Sequence, residues 1–204
     1  MFPKSIQELI EYFSSFPGVG PRQATRFVLF LLKRKDLVVS IRDSLKSLKD
    51  DVTLCQQCFF PYEKGEGENC SICLDPKRNS KLICVVEKEN DALRIERTKI
   101  YNGIYYVLGG TLTPLRQDAQ IKARVQNFKK RLANDASIKD VELILALNPT
   151  REGAFTEAYL QETLKKIEGY PRLRITRLGR GLSTGSELEY VDEETLRSAL
   201  DGRQ

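Results

Sequence analysis

The amino-acid sequence predicts an α/β protein whose main part is a mostly parallel sheet with flanking helices. Three observations carry this prediction. After residue 80, short β-rich runs alternate with helical stretches; two Cys-x-x-Cys pairs lie just before them; and amphipathic stretches around a Gly-x-Gly turn occupy the first 50 residues. Alternating strands and helices are typical of β-α-β crossovers and a parallel sheet.

Two helices joined by a tight turn are predicted at the N-terminus. Ser5 and Glu8 have the spacing of a capping box at the start of a first helix, whose apolar residues then recur at helical intervals. Gly18 and Gly20 follow, and they permit backbone conformations that are closed to other residues. A third amphipathic helix is predicted over residues 37–48.

The turn between the first two helices has the chemistry of a phosphate site. Pro21 suits the first turn of a helix, and free amides at such a start hold phosphate oxygens. Arg22 and Arg26 lie one helical turn apart and would hold neighbouring phosphates. This pattern resembles a helix-hairpin-helix motif, which grips nucleic-acid backbones without reading bases. The alternative is a plain αα-hairpin in which Pro and Gly only shape the turn.

Four cysteines predict a closed metal site. Cys55 and Cys58 are separated from Cys70 and Cys73 by eleven residues, which lets the two pairs converge on one ion. Four thiolates form a tetrahedral zinc site with no open position, so we expect one structural Zn²⁺ per chain. Disulfides, free thiols and an iron–sulfur cluster are the alternatives. Cys84 lies in an apolar strand and is predicted to be a core residue.

The following part of the chain predicts four strands and their crossover helices. The strand-like runs are "LICVV" (82–86), "IYYVL" (104–108), "VELILAL" (141–147) and "LRITRL" (173–178). The clearest intervening helix has Ile121, Val125, Phe128 and Leu132 on one face. Glu87 ends the first strand and the 148–153 loop follows the third, so both are expected at the functional edge of the sheet.

The residues at this edge resemble the magnesium site of Toprim domains with two ligands replaced. Glu87 and Glu152 match the acidic pattern with which such domains cut or join DNA. Asn148 and Thr150 stand where two aspartates are usual. Because magnesium prefers several anionic oxygens, we expect the shape of an active site without its main ligands. Two alternatives remain: Glu87 as an ordinary strand-end acid, and a metal-dependent nuclease or primase that uses Glu87 and Glu152.

Composition limits the classes of function. The chain has 204 residues, a formal net charge of +5 and no histidine, which excludes His-based metal sites and triads. Residues 1–50 contain nine Lys or Arg and five Asp or Glu, an excess that suits an acidic polymer, although it is also typical of a solvated surface. No apolar run reaches the roughly 18 residues of a membrane span, so we expect a cytoplasmic protein.

The order of these motifs resembles the RecR family of bacterial recombination mediators over residues 5–202. The resemblance is carried by "FPGVGPRQATRF", the two cysteine pairs, "ICVVE", "YYVLGGTLTPL", "LALNPTREG" and "TRLGRGLSTGSELEYVD". It implies four parts: a helix-hairpin-helix DNA-binding region (1–53), a four-cysteine zinc finger (54–79), a Toprim domain (80–178) and a C-terminal assembly segment (179–204).

The resemblance also implies a non-enzymatic role in DNA repair. Proteins of this family form ring-like tetramers and act with RecO, and in many bacteria with RecF, to load RecA on single-stranded DNA. The implied DNA contacts are Gly18, Val19, Gly20, Arg22 and Arg26. The implied zinc ligands are Cys55, Cys58, Cys70 and Cys73. The implied partner contacts are Glu87, Asn148, Thr150 and Glu152. A pure protein adaptor that binds RecO but not DNA is a third hypothesis.

The C-terminal segment lacks the pattern of a phosphate-binding P-loop. Gly179, Gly181 and Gly185 indicate a tightly turned or flexible loop, and Asp192 is predicted to cap a last helix over 193–200. Family accounts describe a Walker-B-like element in this region. We favour an assembly segment over a nucleotide site.

Overall fold

The chain forms two compact units, residues 1–52 and 53–204. The structure is a computed structural model, and it describes residues 2–65, 67–115, 117–134, 141–167, 173–179, 181–182 and 184–203. No helix within these ranges is long and apolar enough to cross a membrane.

Three helices make up the N-terminal unit: α1 (Lys4–Ser14), α2 (Pro21–Leu32) and α3 (Lys35–Asp50). The three predicted helices are therefore confirmed, but the predicted capping box is wrong. The helix α1 begins one residue before Ser5, with Pro3 as N-cap and no side-chain cap. Because Pro3 starts the helix early, Glu8 lies beyond the cap position and pairs instead with Lys4, at 3.7 Å.

The cysteine pairs lie in a small knuckle at the start of the second unit. A two-stranded sheet of β1 (Val52–Leu54) and β2 (Pro61–Glu63) is followed by a single turn, α4 (Ser71–Leu74). Between the strands the chain reverses at Phe59, which has a φ of 61°. The amide of Phe59 donates to the Cys55 carbonyl and the amide of Cys55 donates to the Phe60 carbonyl, both at 2.9 Å. This closed turn holds the first cysteine pair together.

The main element of the second unit is a four-stranded sheet with strand order β4-β3-β5-β6, in which all neighbouring strands are parallel. Its strands are β3 (Asn79–Val86), β4 (Gly103–Val107), β5 (Glu142–Ala146) and β6 (Arg174–Arg177). The crossover helices are α5 (Glu89–Arg97), α6 (Ala119–Asn134) and α7 (Arg151–Leu164). The predicted parallel α/β architecture is confirmed.

Both faces of the sheet are covered, which explains why its strands are apolar runs and do not alternate with polar residues. Ile83 and Val85 of β3 belong to the core with α6 and α7, whereas Cys84 and Val86 belong to the core with α5. Cys84 is buried, as predicted, and burial raises the pKa of its thiol to about 12. This thiol is therefore an inert core group.

The C-terminal segment ends in a capped helix. A 3-10 turn, Leu188–Tyr190, precedes α8 (Glu193–Asp201). The Asp192 carboxylate accepts from the Thr195 amide at 2.9 Å, which confirms the predicted N-cap, and this hydrogen bond lowers the pKa of Asp192. Within the predicted glycine-rich loop, residues 180 and 183 lie outside the described part of the chain.

Candidate functional site

The hairpin between α1 and α2 presents backbone amides to solvent. Gly18 has a φ of 78°, in the left-handed region that favours glycine. Gly20 is the extended N-cap of α2, and Pro21 follows at the first helical position. No described atom lies within 4 Å of where a Cβ would stand at either glycine, so the backbone is open to close approach. Val19 closes the turn through its amide, which donates to the Phe16 carbonyl at 3.1 Å.

The start of α2 has the properties of an anion site. Among the described residues, the amides of Arg22 and Gln23 have no backbone acceptor, as expected in a first helical turn. Both Arg22 and Arg26 are exposed, and neither forms an ion pair within the described part of the chain. The unpaired amides and the two guanidinium groups lie on consecutive turns of one helix. The arrangement can hold phosphate oxygens but offers no base-reading element.

The N-terminal unit also exposes a wide apolar surface. A groove of about 570 Å³ runs between its helices, and α1 and α3 contain no fully buried residue. Tyr12, Leu32 and Leu45 line this groove while remaining 67%, 61% and 59% exposed. An exposed apolar surface of this kind is typical of a protein–protein interface.

The four cysteines converge as predicted. Their sulfur atoms all lie within 4.8 Å of one another, with Cys58 and Cys70 at 3.5 Å. A tetrahedral zinc site with Zn–S bonds of ~2.3 Å has sulfurs about 3.8 Å apart, so the quartet fits such an ion. Cys55, Cys58 and Cys70 are buried, and Cys73 is partly exposed. The hydrogen bond between Cys58 and Cys70 lowers the pKa of the Cys70 thiol and raises that of Cys58, because the two sulfurs share one proton.

The knuckle is attached to the sheet by contacts that the sequence did not predict. The Val107 amide at the end of β4 donates to the Cys58 carbonyl at 2.9 Å. Phe59 packs edge-on against Tyr106, with ring centroids 5.6 Å apart, and the Arg124 guanidinium lies 4.7 Å from the centre of the Phe59 ring. The cysteine quartet and the edge strand β4 therefore form one continuous structure.

An ion pair joins the segment that follows the knuckle to α5. Arg78, which follows the knuckle, pairs with Glu96 of α5 and donates to the Gly103 carbonyl at 3.0 Å. The Tyr105 hydroxyl donates to the same carboxylate at 2.8 Å. Arg78 lowers the pKa of Glu96, with a smaller contribution from Tyr105. The carboxylate is therefore held in its charged form.

The sheet reverses its strand order between β3 and β5, which is where open α/β sheets bind ligands. Glu87 follows β3 there and is buried, at 5% exposure. Both of its carboxylate oxygens accept from Asn148, one from the backbone amide and one from the side-chain amide, each at 2.7 Å. The alternative of Glu87 as an ordinary strand-end acid does not hold, because both of its oxygens are engaged by Asn148.

The rest of the 148–153 loop is shaped around this pair. Thr150 is the N-cap of α7, and its hydroxyl accepts from the Gly153 amide at 3.0 Å. A Cβ at Gly153 would lie 2.0 Å from the Asn148 carbonyl oxygen, so only glycine fits. The side chains that replace the expected aspartates therefore have structural partners of their own. Glu152 is exposed.

The edge is poorly suited to hold a divalent cation. Asn148 presents N–H donors to Glu87, and the Thr150 hydroxyl accepts a capping hydrogen bond. Among the described residues, the cysteine quartet is the group of three or more side chains that could share one ion. Magnesium at this edge would have to displace the amide donors of Asn148 and would gain few anionic oxygens.

Comparisons with known proteins agree with these features. Residues 6–46 match the RecR helix-hairpin-helix model, residues 81–178 match the Toprim domain model, and residues 181–204 match the RecR C-terminal model. The recombination protein RecR of Chloroherpeton thalassium is 39% identical over 203 residues, covering 98% of this chain and 96% of the relative. The chain belongs to the RecR family.

Further RecR relatives support this assignment. The recombination protein RecR of Bifidobacterium animalis subsp. lactis is 39% identical, covering 98% of this chain and 96% of the relative. That of Roseiflexus sp. is 38% identical, covering 100% and 95%. A role in DNA recombination and repair follows from membership of this family. The predicted family and its helix-hairpin-helix and Toprim domains are confirmed, whereas the division at residues 53, 79 and 178 remains a prediction.

Proposed function

We propose that this RecR-family chain is a non-catalytic DNA clamp that acts with RecO and RecF to load RecA on single-stranded DNA at gaps. It would bind single-stranded, gapped and double-stranded DNA without sequence preference, as a cytoplasmic, nucleoid-associated homotetramer. The observation that carries the proposal is the hairpin. Open amides at the start of α2 adjoin the guanidinium groups of Arg22 and Arg26, which form no ion pair within the described part of the chain.

The hairpin supports backbone binding through Gly18, Val19, Gly20, Arg22 and Arg26. The glycines leave the backbone accessible, and the amides and guanidinium groups supply donors and charge. Contacts to phosphate position a protein on DNA and carry no sequence information directly. One hairpin offers few such contacts, so a single subunit would bind weakly and with a strong dependence on salt.

Assembly would convert these weak sites into a firm grip. Linked binding sites raise one another's effective concentration, which increases overall affinity by several orders of magnitude without new contacts. The exposed apolar groove of the N-terminal unit supports self-association. So does the C-terminal segment, where Leu188, Tyr190 and Leu200 are exposed. Two self-associating surfaces on one chain are what a closed ring requires.

The sheet edge supports a role in partner binding without catalysis. Asn148, Thr150 and Glu152 are exposed and available to a protein partner such as RecO, whereas Glu87 is buried and would act by holding Asn148 in place. A Toprim nuclease or primase would need Glu87 as a free metal ligand. Nothing at this edge, within the described residues, favours that alternative.

The cysteine quartet would hold one structural Zn²⁺. Its chemistry and spacing fit the ion, and four protein ligands leave no position for a substrate. The metal would hold the knuckle against the end of β4 through the Cys58 carbonyl and Phe59. We assign it no part in any reaction.

The test is fluorescence anisotropy of a labelled gapped duplex at several salt concentrations. The double variant Arg22→Ala/Arg26→Ala should bind at least tenfold more weakly. The slope of its log binding constant against log salt concentration should be smaller by about 2, because each lost phosphate contact on duplex DNA contributes ~0.9. The matched control is Lys46→Ala/Lys49→Ala, which removes the same charge from exposed residues of the same unit that do not line the apolar groove. Equal binding by both double variants would make the hairpin structural.

The enzymatic alternative has its own assay. Purified protein should leave single-stranded and gapped DNA uncut in the presence of Mg²⁺ or Mn²⁺. Cleavage that disappears in Glu87→Gln would overturn the clamp. Pull-down by RecO should weaken in Asn148→Ala and Glu152→Ala if the edge is the partner surface.

A further inference from the structure

The helix α6 carries only positive charges. It contains five Lys or Arg residues and no Asp or Glu. Ile121, Val125, Phe128 and Leu132 are buried against the sheet, so its charged residues lie on the flanks and on the outward side. The charges therefore belong to the surface of the second unit.

Two of these cations hold the knuckle in place. Arg124 and Arg131 lie seven residues apart on one flank of α6. Arg131 donates to the Gln57 carbonyl at 2.7 Å, and Arg124 donates to the Val107 carbonyl at 3.2 Å while covering Phe59. Carbonyl partners satisfy the N–H groups but leave the positive charge without a counter-charge.

The other three cations have no such structural role. Lys122 and Lys129 lie seven residues apart on the opposite flank, about 10 Å along the helix axis, and Lys130 lies opposite the buried residues. Within the described part of the chain, none of the three pairs with a carboxylate. By contrast, Lys166 on the same unit pairs with Glu162 at 3.6 Å. Three uncompensated lysines on one helix are an electrostatic surface for an anionic partner.

The residues among the lysines indicate which kind of anion. The exposed positions between them are Ala123, Gln126 and Asn127, with no bulky apolar or aromatic side chain. Protein interfaces are depleted in lysine and rely on aromatic and apolar anchors. Phosphate oxygens, in contrast, are contacted by Lys, Asn and Gln. This composition favours a nucleic-acid backbone over an acidic protein.

We propose that Lys122, Lys129 and Lys130, with Gln126 and Asn127, form a second DNA-backbone contact, which we call the α6 basic face. This inference rests on the proposed DNA-binding function. It adds a binding surface on the second unit to the hairpin of the N-terminal unit. Each subunit of the clamp then offers two phosphate-binding surfaces. Total affinity depends on both of them through their effective concentration.

The test compares two triple variants of the full chain. Lys122→Gln/Lys129→Gln/Lys130→Gln removes the face while keeping good helix formers. The control, Lys77→Gln/Lys81→Gln/Lys165→Gln, removes the same charge at exposed lysines on the same unit, none ion-paired within the described residues. The face variant should bind labelled single-stranded DNA at least tenfold more weakly. Its salt slope should be smaller by about 2, because each of the three lost phosphate contacts contributes ~0.7 on single-stranded DNA. Equal slopes for the two variants would overturn the inference.

Chemical footprinting gives a local readout in the wild-type protein. Acetylation of lysines, quantified by mass spectrometry, should be slowed several-fold by DNA at Lys122, Lys129 and Lys130. It should be unchanged at Lys77 and Lys81. Equal protection of the two sets, or none, would show that DNA does not lie on α6.

The outcomes separate this inference from the proposed function. If Arg22→Ala/Arg26→Ala loses binding and the face variant does not, the clamp stands and the α6 basic face is refuted. If the face variant keeps DNA binding but no longer binds RecO, the α6 basic face contacts an acidic protein surface and the inference is refuted. If the wild-type chain binds no DNA, both fail.

Discussion

The two units of this chain are stabilised in different ways. In the N-terminal unit only Ala24 and Val28 are buried within α2, and α1 and α3 bury nothing completely. In the second unit all five residues of β4 are buried, and the sheet has a core on each face. A unit with so little core leaves apolar surface exposed, whereas the sheet buries both of its faces within its own unit.

This difference assigns different tasks to the two units. Fully buried apolar side chains contribute most of the stability of a domain, so the sheet can carry fixed attachments such as the knuckle and the Glu87–Asn148 pair. The exposed groove of the N-terminal unit is better suited to assembly. We therefore expect changes in the sheet to alter folding, and changes in the hairpin unit to alter oligomeric state and DNA binding.

Removal of a metal ligand should have the largest effect. Cys70→Ala should lose the bound zinc and destabilise the second unit by at least about 4 kcal/mol, because structural zinc contributes ~10–16 kcal/mol of apparent binding free energy in zinc fingers. Hydrogen exchange should accelerate over residues 54–107 and stay unchanged over 2–52. The control variant is Cys84→Ala, which removes a buried thiol outside the quartet. Mass spectrometry should find one zinc per chain in this variant. Faster exchange in both units would contradict their independence.

A pair of leucine truncations tests the comparison directly. Leu143→Ala, in the fully buried part of β5, should cost about 2–5 kcal/mol of unfolding free energy. Leu45→Ala, at a leucine 59% exposed in the groove, should cost less than about 1 kcal/mol but shift the protein toward smaller oligomers. Denaturant unfolding and light scattering measure the two effects. If Leu45→Ala left the assembly intact, the groove would not be an interface.

A single amide-to-acid change should reveal the latent metal site. Asn148→Asp places a second carboxylate against Glu87 and removes one donor, which should destabilise the fold by about 1–3 kcal/mol at neutral pH. Two neighbouring carboxylates raise the pKa of one of them. The loss of stability should therefore shrink as the pH falls and that carboxylate becomes protonated. Thermal unfolding should show stabilisation by millimolar Mg²⁺ in this variant. Asn148→Ala, which removes the donor without adding charge, is the control and should not respond to Mg²⁺.

The smallest expected effect is at the ion pair between Arg78 and Glu96. The pKa of Glu96 is lowered in the folded state, so the pair contributes stability above the unfolded pKa of about 4.3 and loses it as pH falls through the folded value. Glu96→Gln should therefore cost about 1 kcal/mol at pH 7 and less near pH 3. Unfolding titrations at both pH values check this. A cost independent of pH would mean that packing, and not charge, holds Glu96.

Local patterns in the sequence predicted much of the fold. The apolar runs predicted parallel strands correctly, because a strand that is buried on both faces has no alternation of apolar and polar residues. The cysteine spacing predicted the quartet, since two Cys-x-x-Cys turns and an eleven-residue loop constrain where sulfurs can meet. Gly18 and Pro21 marked the hairpin because few residues accept those backbone conformations. The capping box failed because Pro3, outside the pattern, starts the helix earlier.

Contacts between distant segments were beyond such patterns. Glu87 and Asn148 are 61 residues apart, and nothing local in "LALNPTREG" indicates that the asparagine bonds the glutamate with both of its amides. Thr150 read as a lost metal ligand, whereas it is a helix cap. The Gly153 requirement likewise depends on a carbonyl brought close by the fold. These roles depend on the order of strands, which periodicity does not specify.

The sequence by itself determined the fold class, the family, the hairpin and the cysteine quartet of this protein, because each depends on residues close together along the chain. Only the tertiary structure decided which groups face one another: Asn148 on Glu87, Arg124 on Phe59, and three lysines on α6 that pair with no carboxylate in the described part of the chain. The physical reason is that hydrogen bonds and charges act over a few ångströms in space. The chain brings partners that close from positions that can be dozens of residues apart.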